Sequence, residues 1–190
     1  DAGDEQGQHY AGDEQLPEDW PVHGTTGYDF AALTDALLVD PDGAEPLTDC
    51  WQAFSGRERS LEDEIYASKR LVMRNLLSGE LNVLASELSR IAETDPHTRD
   101  FTLGALRDAL MDVVACFPVY RTYITPRGVA TRDRNQILKA LAEARRRSRA
   151  ADISVFDFVG EVLLTDIADG RPAGLQQRAL GLAMKLQQDT

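Results

Sequence analysis

SLEDEIYASKRLVMRNLLSGELNVLASELSRIAET, residues 60–94, decides the fold class. Leu61, Ile65, Val72, Leu76, Leu81, Leu84, Leu88 and Ile91 recur at separations mostly of three, four or seven residues, which is the period of one helix face. Ser60, followed by Glu62, Asp63 and Glu64, makes a helix start both by capping and by the favourable placing of anions at the positive end of the dipole. The pattern is long for one helix, and Ser78-Gly79 is where it should kink or split.

The same reading extends outward in both directions. Downstream, Thr102 caps a stripe of Leu103, Leu106, Leu110, Val113 and Val114 that must end before Pro118, because Phe117 is pushed towards extended geometry. Thr131 caps a helix through Ile137, Leu138 and Leu141, Ser154 caps one through Phe158, Val162 and Leu163, and Pro172 opens a last one through Leu175, Leu182 and Leu186. Upstream, Ala31 to Val39 predicts a short helix ended by Asp40-Pro41-Asp42-Gly43, and a second follows around Leu47 to Phe54. Two stretches break the helical period. Prolines, glycines and aromatics suit an extended segment around Thr25 to Phe30, and the β-branched and aromatic FPVYRTYI, residues 117–124, is the second candidate strand. The expected fold is mainly α, with one or two short extended segments. Residues 1–15 are acidic and poor in large apolar groups, which predicts a loose start, and 16–190 read as one helix-rich domain.

Charge and cysteine usage exclude several function classes. The 190 residues hold 20 Lys and Arg against 32 Asp and Glu, a formal charge of -12, so the average field repels nucleic acid and anionic lipid. The one basic cluster, Arg145-Arg146-Arg147 with Arg149, lies late in a helical pattern, where cations complement the negative end of the helix dipole. Cys50 and Cys116 have neither CxxC spacing nor a companion histidine cluster, so they read as buried free thiols of a reducing cytoplasm. His9, His23 and His97 stand apart, and no metal and no cofactor is expected. No apolar run is long enough to span a bilayer and no export signal is present, so the chain is expected to be soluble and cytoplasmic.

Chemistry-bearing patterns are sparse. Adjacent carboxylates such as Asp13-Glu14 and Glu18-Asp19 do not converge on one glycosidic bond and read as surface charge. Gly24-Thr25-Thr26-Gly27 lacks the lysine and third glycine of a phosphate-cradling loop. FPVYRTY is more pointed: two tyrosines and an arginine offer aromatic faces for pyranose C–H groups, with hydroxyl and guanidinium donors for the sugar hydroxyls. The alternative is a buried strand whose tyrosines reach backbone carbonyls and whose arginine pairs with an acid.

LPEDWPVHGTTGYDF (16–30), LLVDPDGAEPLTD (37–49), FPVYRTYI (117–124), VLLTDIADGRP (162–172) and MKLQQDT (184–190) occur in the order and approximate spacing of maltooligosyltrehalose synthases, a family the chain resembles over about residues 12 to 190. The family resembles α-amylases in its catalytic (β/α)₈ barrel. The resemblance implies retaining chemistry, in which the reducing-end glucose of a maltooligosaccharide is released and re-bonded through its anomeric hydroxyl. It also implies that this chain is a helical insertion between late barrel strands. The family's three catalytic carboxylates find no counterpart here, because the stretch before LPEDWPV does not resemble the segment bearing the acid and the others belong outside the matched segments. A barrel needs about 250 residues, which this chain does not supply. By the same resemblance Tyr28 and Asp29 lie on a barrel strand at the cleft, and Tyr120, Arg121 and Tyr123 on an element facing it, as sugar contacts. The alternative is an independent non-catalytic helical scaffold or carbohydrate-binding module.

Overall fold

A computed structural model describes residues 28–148, 152–166 and 174–189, and these are mainly helical, with eight α-helices and no strand among them. The chain divides into two compact units, residues 1–60 and 61–190.

In the first unit, α1 spans Tyr28–Leu38 and α2 spans Ala44–Ser55, joined through a 3₁₀ turn at Pro41–Gly43. Asp40 is extended and its carboxylate accepts the Asp42 N–H at 3.1 Å, so the DPDG break falls where proline and glycine demand it. Gly56 ends α2 at φ 66°, a left-handed cap that a side chain would strain. The extended segment expected up to Phe30 is corrected: Tyr28, Asp29 and Phe30 form the first turn of α1, and Thr25 to Gly27 lie outside the described residues. The reason is local. An aspartate is favoured in a first helical turn, Ala31, Ala32 and Leu33 are good helix formers, and the Thr34 hydroxyl donates back to the Phe30 carbonyl at 2.8 Å.

The second unit holds α3 (Leu61–Asn75), α4 (Ser78–Ala92), α5 (Leu103–Ala115), α6 (Thr131–Arg147), α7 (Ser154–Leu163) and α8 (Leu175–Asp189). The long stripe splits between Asn75 and Ser78, beside the expected Ser78-Gly79 break. α5 is the hub, packed against α3, α4, α6 and α7, and it is buried over most of its circumference by Leu106, Ala109, Leu110, Met111 and Val113. Thr102 caps it as expected, accepting the Ala105 N–H at 3.2 Å. Thr131 and Ser154 are instead the first helical residues. α6 has no side-chain cap bond, and the Asp152 carboxylate accepts both the Ser154 N–H and its hydroxyl at the start of α7. α6 and α7 cross closely at Gly160, where an added Cβ would stand 2.9 Å from a Leu141 methyl.

The apolar stripe of residues 60–94 has two fates. Leu81, Leu84, Leu88 and Ile91 on α4 are core, whereas Leu61 and Val72 on α3, and Leu76 just past its end, are exposed. α3 turns Tyr66, Lys69, Arg70 and Met73 inward instead, because the residues facing it across the bundle include the carboxylate of Asp112 and a backbone carbonyl of Phe117.

Candidate functional site

The connection from α5 to α6, Cys116 to Ala130, carries FPVYRTYI. It is not a strand: residues 118–120 bend, 121–124 are irregular, and the one bridge pairs Thr125 with Gly128 within its own turn. The second candidate strand is corrected accordingly. The β-branched and aromatic composition is satisfied in another way, by plugging Phe117, Thr122 and Ile124 into the bundle, each 6% exposed or less.

With no neighbouring strand, the buried backbone of this strap still requires partners. Side chains from three helices supply them. Lys69 on α3 donates to the Phe117 carbonyl at 2.9 Å, Asp133 in the first turn of α6 accepts the Tyr123 N–H at 3.2 Å, and Gln187 on α8 accepts the Ile124 N–H at 2.6 Å and donates to the Ile124 carbonyl at 3.1 Å. Burial pushes the Asp133 carboxyl above its usual range, opposed by the Tyr123 N–H, and burial lowers the Lys69 ammonium.

Held this way, the strap leaves Tyr120 at the surface and Arg121 and Tyr123 partly covered. Tyr120 is 75% exposed and its hydroxyl has no hydrogen-bond partner among the described residues. Arg121 is half-buried, and its Nε is shut from solvent without a partner among them. Tyr123 is half-buried. These three expected site residues therefore share one strap of the second unit. Tyr28 and Asp29 belong to the first unit, on a helix turn and not on the strand the resemblance implies.

The basic cluster behaves as a helix end. Arg145 pairs with Asp157, Arg146 with Glu143 at 2.6 Å, and Arg147 with both Glu143 and Asp63, so each guanidinium is neutralised by an acid instead of awaiting phosphate. Arg149 and the pairs Asp13-Glu14 and Glu18-Asp19 lie outside the described residues. Only Cys116 of the two cysteines is shielded; Cys50 is exposed, which corrects the expectation that both are buried. Among the described residues no cluster of three or more His, Cys, Asp or Glu could hold a metal ion, and no helix is long and apolar enough to cross a membrane.

Sequence reasoning passed over Gln187, Asp133 and the Tyr66-Arg70-Asp112 group. Each left a signal. Gln187 follows Ala183 by four residues and Asp133 precedes Ile137 by four, so both sit on apolar helix faces, and Asp112 interrupts an otherwise apolar run from Ala109 to Ala115. Searches of protein-family models, curated proteins and solved structures find no match to the chain.

Proposed function

We propose that this chain is the helical insertion of an α-amylase-like (β/α)₈ barrel enzyme similar to maltooligosyltrehalose synthases. Its parent converts the reducing-end α-1,4 bond of a maltooligosaccharide into an α,α-1,1 bond. In this reading Tyr120, Arg121 and Tyr123 contact the sugar at and beyond the cleavage point, Tyr28 and Asp29 are further sugar contacts of the parent, and the catalytic carboxylates lie elsewhere. The observation that carries it is the state of the strap. The alternative reading of FPVYRTY, a structural strand with its arginine on an acid, asks for a paired guanidinium and hydroxyls turned to backbone. Tyr120 instead offers an exposed ring and a free hydroxyl beside an Arg121 that no acid neutralises among the described residues. An aromatic face next to unspent donors suits a pyranose ring and its hydroxyls.

Sequencing the coding DNA on either side is the direct test. An open frame running into barrel segments that carry carboxylates supports the reading, and natural start and stop codons at these ends sink it. The purified chain, lacking those carboxylates, should make no trehalose-ended product from maltopentaose, because retaining chemistry needs two positioned carboxyls. Turnover by the 190-residue chain free of other enzymes would refute this expectation.

A further inference from the structure

The sugar-facing strap has no strand to hold it, yet the backbone of Ile124 is bonded as if it had one. A primary carboxamide carries one acceptor oxygen and one donor nitrogen, the same pair that a peptide unit offers across an antiparallel ladder. Gln187 uses both on a single residue, accepting from the Ile124 N–H at 2.6 Å and donating to the Ile124 carbonyl at 3.1 Å. The preceding N–H, that of Tyr123, goes to Asp133 on a different helix at 3.2 Å. Two successive backbone donors, those of Tyr123 and Ile124, are thus fixed from α6 and α8, with only Thr122 between them and Arg121. Thr122 and Ile124, both 3% exposed, are seated in the bundle on either side of Tyr123. Once alternate residues are plugged inward and the intervening amides are bonded, the directions of Tyr120, Arg121 and Tyr123 are set by backbone they do not themselves hold.

We propose that Gln187 is a positioning residue, whose carboxamide stands in for a β-strand partner and fixes the strap so that Tyr120, Arg121 and Tyr123 meet a maltooligosaccharide. This rests on the sugar-contact reading above and assigns the device that makes that surface specific. Gln187 touches no sugar itself. Removing it leaves the three contact side chains chemically intact and spoils only their arrangement, and an unmade bond to buried backbone frees the strap to take several conformations.

The test compares the whole 190-residue chain with Gln187→Met, which keeps the length and apolar stem but loses both bonds, and with Leu182→Ala, a core truncation five residues earlier in the same helix that leaves both bonds in place. Maltopentaose affinity is measured by calorimetry well below the melting temperature of the least stable variant, and amide hydrogen exchange is followed across residues 119–125. The expected result is that Gln187→Met binds about tenfold more weakly and exchanges faster in the strap, whereas Leu182→Ala melts lower but binds as the unaltered chain does. Equal affinity for Gln187→Met and the unaltered chain overturns the role of Gln187 alone. Losses of affinity that track melting temperature in both variants overturn it too, by making Gln187 an ordinary stabilising residue. No binding by the unaltered chain instead removes the sugar-contact reading, and the positioning role with it.

Discussion

The hydroxyl of Tyr66 on α3 donates to the carboxylate of Asp112 on α5 at 2.8 Å, and this bond ties a helix with an exposed apolar face to the hub of the bundle. Arg70 completes the group: it pairs with Asp112, donates to the Tyr66 hydroxyl, and its guanidinium lies 5.5 Å from the Tyr66 ring centroid, with that of Arg147 at 5.0 Å. Tyr66→Phe keeps the ring and both cation contacts while depriving a buried carboxylate of one donor. It should lower unfolding free energy by about 1.5–3 kcal/mol, the range for a hydrogen bond to a charged group. Asp112→Ala should cost more, about 3–5 kcal/mol, because it strands the Arg70 charge. Urea melts of both variants check the order, and an unchanged midpoint for Tyr66→Phe would show that the bond contributes nothing.

Helices were legible in the sequence where burial and period coincide, and misread where polar chemistry decides which face turns in. Leu84 and Leu88 on α4 obeyed their stripe, but Leu61 and Val72 on α3, with Leu76 just past its end, lost to Tyr66 and Arg70, whose bonds to Asp112 depend on a residue far away in sequence. Periodicity finds the apolar face and says nothing of what lies opposite. FPVYRTYI failed in the same way: composition favoured a strand, but pairing needs a neighbour, and a glutamine 63 residues downstream took that place. The candidate contacts in the strap were legible because aromatic and guanidinium groups advertise themselves. Their supports were not, since Gln187 and Asp133 act on backbone.

Leu76→Glu, just past the end of α3, should therefore change stability by no more than about 0.5 kcal/mol, as expected of a surface position, while Leu84→Ala on α4 should cost about 2–5 kcal/mol. Their relative exposures of 75% and 3% decide the difference, although both belong to one stripe in the sequence. Equal costs at the two sites would mean that the α3 face is covered in solution.

The two cysteines should separate cleanly by reactivity. Burial, reinforced by Glu143, pushes the Cys116 thiol up to about 11, so at pH 8 it holds little thiolate, while Cys50 is exposed. A thiol reagent should modify one cysteine of the folded chain within minutes and the second only on adding denaturant. Mapping the fast label to Cys116 would contradict this arrangement.

Asp133 gives stability a readable pH dependence. Its folded carboxyl titrates above the ordinary 3.8, chiefly through burial, so over the range between 3.8 and its raised value the folded state holds the proton that the unfolded chain has released. Its contribution consequently falls as pH rises through that window. Asp133→Asn keeps an acceptor for the Tyr123 N–H and removes the titration. The difference in unfolding free energy between the Asp133→Asn variant and the unaltered chain should move in favour of the variant on going from pH 4 to pH 7. A difference that is flat with pH would show that Asp133 is ionised freely in the fold.

On the proposed reading, Tyr120→Phe or Arg121→Ala in the full-length parent should harm isomerisation more than stability and raise the share of free glucose released. Tyr120 is exposed and its hydroxyl holds nothing among the described residues, so removing the oxygen has no folding role to disturb there. Arg121 spends no ion pair among them, and its truncation relieves a buried Nε that lacks a partner. In the proposed reaction, by contrast, the cleaved glucose would have to stay bound while it turns to present its anomeric hydroxyl, with water competing for the glycosyl-enzyme intermediate throughout. Loss of one hydrogen bond to a neutral hydroxyl weakens that hold by about 0.5–1.5 kcal/mol, which is about two- to thirteen-fold in the partition between isomerisation and hydrolysis, and loss of the charged donor should shift it further. Product ratios and melting temperatures are measured on the same two variants. A lowered melting temperature with an unchanged ratio of trehalose-ended product to glucose would make the strap structural and remove Tyr120 and Arg121 from the sugar site.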